Sequence, residues 1–145
     1  MAVTDHGVAS LELLANIDVD DIELATRFYC GALGLRIGRR FGGGAVELLG
    51  ASSAIYLLQK ASGTPSSELS TQVRDYSRHW TPVHLDFVVP DIEQALSRAR
   101  AAGARVESEI RTHVWGRIAL LADPCGNGFC LIQFLSRGYD EIATS

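Results

Sequence analysis

His84 and Asp86 are the residues of this chain whose types and spacing best suit acid–base chemistry. They lie two positions apart in an apolar stretch, Val83–Val89, that is typical of a strand, so both side chains project from the same face. A histidine beside a carboxylate can act as a general base, because its pKa is close to neutrality and the carboxylate stabilises the protonated ring. We favour the alternative, in which the pair satisfies its own hydrogen bonds and His84 contacts a bound ligand.

Trp115 and Arg117 form a second pair, at the start of a later predicted strand and again on one face. The tryptophan ring offers flat contact area to a planar ligand, and the guanidinium offers a fork of donors to an anion. The pattern fits equally well a Trp115 packed beneath a loop and a solvated Arg117. No serine–histidine–acid or cysteine–histidine set can be argued, and the triple glycine at 42–44 is a turn, since neither Lys-Ser nor Lys-Thr follows it.

A stretch that occurs twice positions these residues. DIELA at 21–25 returns as DIEQA at 91–95, which is 70 positions later. Around each copy the periodicity predicts a strand, a helix capped by an aspartate and three more strands. We therefore expect one domain at residues 11–136, made of two βαβββ modules at about 11–60 and 82–136. A polar linker at 61–81 joins them, and residues 1–10 and 137–145 are expected to be tails.

The predicted elements follow this order in both modules. The helices begin at Asp20 or Asp21 and at Asp91, and Gly31, Gly34 and Gly103 are expected to end them. The predicted strands are Leu11–Val19, Arg36–Phe41, Ala45–Leu49 and Ala54–Gln59, then Val83–Val89, Arg105–Ile110, Trp115–Ala122 and Phe129–Phe134.

Composition restricts the class of protein. The chain has 145 residues, 47% of them hydrophobic and 21% charged, with no run long enough to span a membrane. The net charge is −4 and the basic residues do not cluster, so neither nucleic acid nor a membrane surface is an expected partner. Three cysteines without CxxC spacing and no secretory signal favour a cytoplasmic protein without disulfides.

Three stretches carry a resemblance to a known family: FYCGALGLRI, HLDFVVPDIEQA and WGRIALLADPCGNGFCLIQF. Together with the repeat they resemble the vicinal oxygen chelate superfamily, which includes glyoxalase I, extradiol dioxygenases, and fosfomycin- and bleomycin-resistance proteins. The resemblance implies an α+β fold in which the strands of both modules form a cup-shaped mixed sheet with the helices outside. It also implies a ligand in the cup and a homodimer whose clefts lie near the subunit boundary.

The metal-dependent members bind one divalent ion with four side chains from the first and last strands of each module. The matching positions here are Leu14, Tyr56, His84 and Cys130. Leucine has no lone pair to give, and the set is poor for magnesium, manganese, iron or nickel, so no metal cofactor is expected. The alternative is an altered set drawn from Asn16, Tyr56, His84, Asp86 and Cys130, in which histidine and thiolate would suit zinc.

The function expected from this resemblance is binding of a small organic ligand without the usual metal site. The expected ligand contacts are Asn16, Tyr56, His84, Asp86, Trp115, Arg117 and Cys130. One alternative is an enzyme, either a metal-dependent lyase or dioxygenase with an altered ligand set or a metal-free isomerase that uses His84 and Asp86. Another is a structural or regulatory module with a vestigial cup.

Overall fold

The computed structural model describes residues 11–145, and the part of the expected tail at 1–10 lies outside them. Two units of strand, helix and further strands follow each other, which confirms the predicted α+β fold. A 3-10 turn at Gly138–Glu141 follows the last strand. The first unit contains β1 (Ala15–Val19), α1 (Ile22–Leu33), β2 (Arg36–Phe41), β3 (Ala45–Leu49) and β4 (Ile55–Gln59). The second contains β5 (Leu85–Val88), α2 (Ile92–Ala101), β6 (Arg105–Val106), β7 (Arg111–Thr112), β8 (Gly116–Ala122) and β9 (Gly128–Phe134).

Each unit forms its own mixed sheet. The strand order is β1-β4-β3-β2 in the first sheet and β5-β9-β8-β6 in the second, where β7 also pairs with β8. The first strand of each unit runs parallel to the last, and the other pairs are antiparallel. Within residues 11–145, β1 and β5 share no ladder, so both are edge strands and the two sheets remain separate.

The same arrangement joins the helix to the last strand in both units. Asp21 caps α1 by accepting the Leu24 N–H at 3.0 Å, and Asp91 caps α2 by accepting the Gln94 N–H at 3.1 Å. The glutamine near the end of the last strand, Gln59 or Gln133, accepts the first helical N–H through Oε1, at 2.7 and 2.9 Å. Each glutamine thus satisfies a backbone donor that a helix leaves free, which explains why both units end in a glutamine after two apolar residues.

The core is shared by the two units. Helix α1 covers one face of the first sheet, α2 covers one face of the second, and the helices pack against each other. The helix-free side of each sheet is called its open face below. Gly31 does not end α1 as predicted: it lies inside the helix, where an added Cβ would come within 3.4 Å of Ala102. The helix ends at Gly34, whose φ of 68° is readily adopted only by glycine.

Three predicted strands are wrong in extent. Val83–Val89 shortens to β5, so Val83, His84 and Val89 lie outside the strand. Residues 11–14 are not part of β1, and Leu14 is 47% exposed, because β4 offers partners only from Ile55 onward. The predicted strand Arg105–Ile110 is interrupted after Val106, where the Ser108 hydroxyl accepts the Leu120 N–H at 3.0 Å in place of a ladder bond. Pairing with β8 resumes only at β7.

The linker at 61–81 is held against β1 and against the turn before β9. An isolated bridge pairs Pro65 with Val73, and the Arg74 guanidinium donates to Asp18 of β1 at 2.6 Å. A second bridge pairs His79 with Asn127, at the turn before β9. In the described range no helix is both long and apolar enough to cross a membrane.

Candidate functional site

A cavity of about 550 Å³ lies between the edge strands β1 and β5, and it is called the seam cavity below. The aromatic rings of Tyr29, Phe87 and Phe129 line it, and the last two rings are 5.8 Å apart. Leu14, Ala15, Ile17, Val83 and Leu85 add apolar wall, and Asn16, Asp18, His79, Thr81, His84 and Asn127 supply polar groups. The arrangement suits a ligand with an apolar, flat body and a few hydrogen-bonding groups.

The buried hydroxyl of Tyr29 is held from the second unit. It donates to Asp123 Oδ2 at 2.6 Å, and burial, followed by the nearby Asp123 charge, raises the Tyr29 pKa well above its usual value. Asp123 also accepts the backbone N–H groups of Cys125 and Asn127, at 2.8 and 2.9 Å. Asn127 in turn donates to the carbonyl of Asp18, at 3.2 Å. One carboxylate thus joins α1, β1 and the turn before β9 around the seam cavity.

His84, Asp86 and Cys130 meet on the open face of the second sheet. Asp86 lies opposite Cys130 in the parallel pairing of β5 with β9, and His84 Nε2 is 3.2 Å from Asp86 Oδ1. One ligand atom from each residue lies within 4.8 Å of the other two. Burial, and then the charge of Asp86, raises the pKa of the Cys130 thiol to about 12. The group therefore combines an imidazole, a carboxylate and a protonated thiol.

Tyr56 lies on the open face of the first sheet, where its hydroxyl is already engaged. It donates to Glu47 Oε2 at 3.0 Å and accepts from Arg39 Nη2 at 3.2 Å. Arg39 also donates to both Glu47 oxygens, and these hydrogen bonds lower the Glu47 pKa to about 2. Glu47 is only 7% exposed although its side chain carries a charge. The bidentate ion pair with Arg39 allows the Glu47 carboxylate to remain charged although it is buried.

Trp115 and Arg117 lie away from the seam cavity. Trp115 precedes β8 and packs its ring on Tyr139 and Phe134, at centroid distances of 5.1 and 6.5 Å. The Arg117 guanidinium donates to Glu93 of α2 at 3.1 Å. Neither residue lines the seam cavity, so Trp115 and Arg117 lie apart from the predicted contacts that do.

The seven residues predicted to contact a ligand therefore lie in separate parts of the fold. Asn16 and His84 line the seam cavity, as does the family position Leu14. Asp86 and Cys130 accompany His84 on the second open face, and Tyr56 lies on the first. The cavity aromatics Tyr29, Phe87 and Phe129 were missed, because strand and helix periodicity marks them only as apolar core positions.

The four family positions do not fit a divalent ion. Leu14 carries only hydrocarbon, and the Tyr56 hydroxyl already uses its proton and a lone pair on Glu47 and Arg39. The four positions, all within the described residues, thus provide no four-ligand site of the kind that the resemblance implies.

Comparison with known proteins agrees with this fold. The chain is similar to TnmS3, an antibiotic binding protein from Streptomyces sp. CB03234, with 22% identity and a TM-score of 0.64 over 88% of this chain and 98% of that one. It is similar to the fosfomycin resistance protein FosX from Listeria monocytogenes, solved with Mn(II), with 17% identity and a TM-score of 0.68 over 94% and 99%. TioX from Micromonospora sp. ML1 shares 16% identity and a TM-score of 0.66 over 87% and 100%.

At these identities the three likenesses show a common fold. Among curated proteins none matches the sequence significantly. The model of the glyoxalase-like domain matches residues 15–132, from the first residue of β1 into β9. This match covers both units, and it confirms the resemblance that the repeat and the three stretches carry. The chain belongs to the glyoxalase-like domain family, within the vicinal oxygen chelate superfamily.

Proposed function

We propose that this protein binds a small organic ligand in the seam cavity, without the four-ligand metal site of its superfamily. The observation that carries the proposal is the cavity itself: about 550 Å³ between two edge strands, with aromatic rings and polar groups in its lining. A pocket of this size and mixed lining is typical of small-molecule sites. The misfit of Leu14 and Tyr56 as ligands supports a binding mode that needs no ion at the family positions.

The lining suggests which ligand chemistry is favoured. Among the three aromatic residues of the lining, Tyr29 and Phe129 are only 1% and 2% exposed, and Phe87 is half-buried. The Phe87 ring favours a flat apolar body, and the Asn16 amide and the His84 ring can donate or accept hydrogen bonds at its edge. Asp18 also lines the cavity, but its charge is paired with Arg74 at 2.6 Å. A largely uncharged aromatic molecule is therefore favoured over a strongly anionic one. The similarity to an antibiotic binding protein supports an organic ligand.

The test uses the uncharged fluorescent naphthalene dye N-phenyl-1-naphthylamine as a probe and a panel of uncharged aromatic antibiotics as competitors. Val83 lines the cavity and is 82% exposed, so Val83→Phe narrows the opening with little effect on the core. Val114→Phe is the matched control, because Val114 is also exposed and lies elsewhere. We expect Val83→Phe to weaken competitor binding at least about tenfold, a loss of roughly 1.4 kcal/mol. The control should bind as the wild type does, with or without a chelator.

Equal binding by both variants would show that the seam cavity is not the site. Binding that a chelator abolishes, and that Tyr56→Phe also abolishes, would show a four-ligand metal site in use and would contradict the proposal in its metal-free part.

We also propose that the binding form is a homodimer in which open faces pack against a second copy. Large apolar side chains lie exposed on both open faces: Phe41 on the first at 46% exposure, and Val88 on the second at 58%. Apolar groups so placed favour burial in an interface. Light scattering should give twice the chain mass for the wild type and for Val114→Asp, and a reduced mass for Phe41→Asp and Val88→Asp. A monomeric wild type would contradict this proposal and leave the cavity test unaffected.

A second candidate function is metal-free proton transfer, favoured by the 3.2 Å contact between His84 and Asp86 at the cavity edge. A carboxylate so placed orients a histidine that acts as a base. Solvent deuterium exchange into hydroxyacetone, followed by NMR, is the direct test. Exchange that the wild type catalyses and that Asp86→Asn slows at least about tenfold would support an isomerase. Equal exchange with both proteins would exclude the pair as the catalyst for this compound class.

A further inference from the structure

A second cavity of about 510 Å³ lies beside the linker at 61–81, and it is called the linker cavity below. It shares four lining residues with the seam cavity, namely Asp18, His79, Thr81 and Asn127. The rest of its lining comes from residues 66–77 of the linker. The two cavities are therefore neighbours with a common boundary of polar residues, and the proposed function uses only one of them.

The two linings differ in chemistry. The seam cavity has apolar wall from residues such as Ile17, Leu85 and Phe87. Among the described residues that line the linker cavity, Val73 is the only apolar one, and the others carry hydroxyl, amide, carboxylate, guanidinium or imidazole groups. A ligand that spans the boundary would thus have one flat, apolar end and one end rich in hydrogen-bonding groups.

The charges of the linker cavity disfavour an anionic group. The Arg74 guanidinium is paired with Asp18 at 2.6 Å, and it also donates to two oxygen atoms of the linker. Asp75 adds a second carboxylate, which accepts the Ser77 N–H at 2.9 Å. A phosphate or carboxylate group would therefore meet two carboxylates and one engaged guanidinium. An uncharged hydroxyl group can donate to either carboxylate without this repulsion.

We propose that the ligand of this protein is an aromatic glycoside, with its flat aglycone in the seam cavity and an uncharged sugar ring in the linker cavity. The inference rests on the proposed function, because it places the aglycone in the same site. A sugar ring carries several hydroxyl groups that both donate and accept, which matches a lining of carboxylates, amides and hydroxyls. The volume of the linker cavity has room for one such ring.

Existing contacts hold the boundary of the two cavities in place. The Asn127 amide donates to the carbonyl of Asp18 at 3.2 Å, and His79 Nδ1 lies 2.9 Å from the carbonyl oxygen of Ser77. Groups that are already fixed lose little freedom when a ligand binds, so their hydrogen bonds contribute more to affinity. Gln72 is bound to the linker through its backbone, and within residues 11–145 its side-chain amide makes no hydrogen bond that a sugar would have to displace.

The test compares three compounds that share one naphthalene ring: 1-naphthol, 1-naphthyl β-D-glucopyranoside and 1-naphthyl β-D-glucuronide. Isothermal titration calorimetry measures the affinity of each for the full chain. We expect the glucoside to bind about tenfold more tightly than 1-naphthol, since each new hydrogen bond adds modestly to the affinity. The glucuronide, which differs from the glucoside by a carboxylate, should bind more weakly than the glucoside.

Two variants remove the sugar contacts, each with a matched control on α2. Gln72→Ala should weaken glucoside binding about fivefold, and Ser77→Phe, which fills part of the linker cavity, should abolish the advantage of the glucoside over 1-naphthol. Both variants should bind 1-naphthol as the wild type does. The controls are Gln94→Ala and Ser97→Phe, which change exposed residues that line neither cavity and should leave all three affinities unchanged.

The glycoside inference and the seam-cavity function fail in different ways. Equal binding of 1-naphthol and the glucoside by the wild type would overturn the glycoside and leave the seam-cavity function standing. A glucoside advantage that survives both Gln72→Ala and Ser77→Phe, or a glucuronide that binds as tightly as the glucoside, would also overturn the inference. Val83→Phe should weaken 1-naphthol and the glucoside together, because it narrows the cavity that holds the naphthalene ring. A wild type that binds neither compound would contradict both proposals.

Discussion

The Tyr29 hydroxyl donates a buried hydrogen bond of 2.6 Å to Asp123, 94 positions later in the chain. It joins a helix of the first unit to the turn before β9 in the second. Because both groups are buried, the loss of either partner leaves a polar group without its partner or with fewer partners.

Tyr29→Phe should lower the free energy of unfolding by about 1–3 kcal/mol, since Asp123 keeps its other donors. Asp123→Ala should lower the free energy of unfolding further, because it leaves the Tyr29 hydroxyl and the Cys125 and Asn127 N–H groups unpaired. Urea unfolding measures both. Tyr139→Phe, at an exposed tyrosine, is the control and should change little. A Tyr29→Phe variant as stable as the wild type would show that this hydrogen bond does not hold the units together.

Glu47 should make the stability depend on pH in the acid range. Its hydrogen bonds with Arg39 lower its pKa from 4.5 to about 2, so the folded state binds the proton less readily than the unfolded chain. The stabilisation is therefore complete above about pH 4.5 and is lost as the pH falls through about 2. The difference in urea midpoint between wild type and Glu47→Gln should shrink over this range. A difference independent of pH would contradict the ion pair.

Arg74 should control the exposure of the linker at 61–81. Its guanidinium donates to Asp18 and to the carbonyl of Pro65, at 2.6 and 2.5 Å, and these contacts hold the linker against β1. Arg74→Ala should make chymotrypsin cleave this segment several-fold faster, because local opening becomes less costly. Arg137→Ala removes an exposed ion pair and should leave the rate unchanged. Equal rates in both variants would mean that the linker is held by other contacts.

Gly128 leaves room for Trp80. A methyl group at position 128 would collide with the six-membered ring of Trp80, so Gly128→Ala must displace the indole. We expect a stability loss of about 1–3 kcal/mol and a shifted Trp80 emission, measured in a Trp115→Phe background. Gly43→Ala, whose added methyl meets open space, is the control. An unshifted emission would show that Trp80 does not pack on this glycine.

The sequence predicts the scaffold well because the repeat fixes it twice. The caps at Asp21 and Asp91 follow from local backbone chemistry, and the order of strand, helix and further strands in both units follows from the repeat. Strand ends are less predictable, since residues 11–14 alternate like a strand but find no partner in β4.

The candidate site is less predictable, because it depends on contacts distant in sequence. The partner of Tyr29 lies 94 positions away, and the burial of Glu47 depends on Arg39 reaching it across β2 and β3. The convergence of His84, Asp86 and Cys130 required the parallel pairing of β5 with β9, which places Asp86 opposite Cys130. Residue types suggested this group, and only the register brings it together.

The separation of β1 from β5 decides what sets the width of the seam cavity. Its walls belong to two sheets that share no strand ladder within residues 11–145. The width of the opening therefore depends on the contacts that join the units, among them the Tyr29–Asp123 and Asn127–Asp18 hydrogen bonds. A displacement of one sheet against the other would change this aperture without breaking a strand ladder.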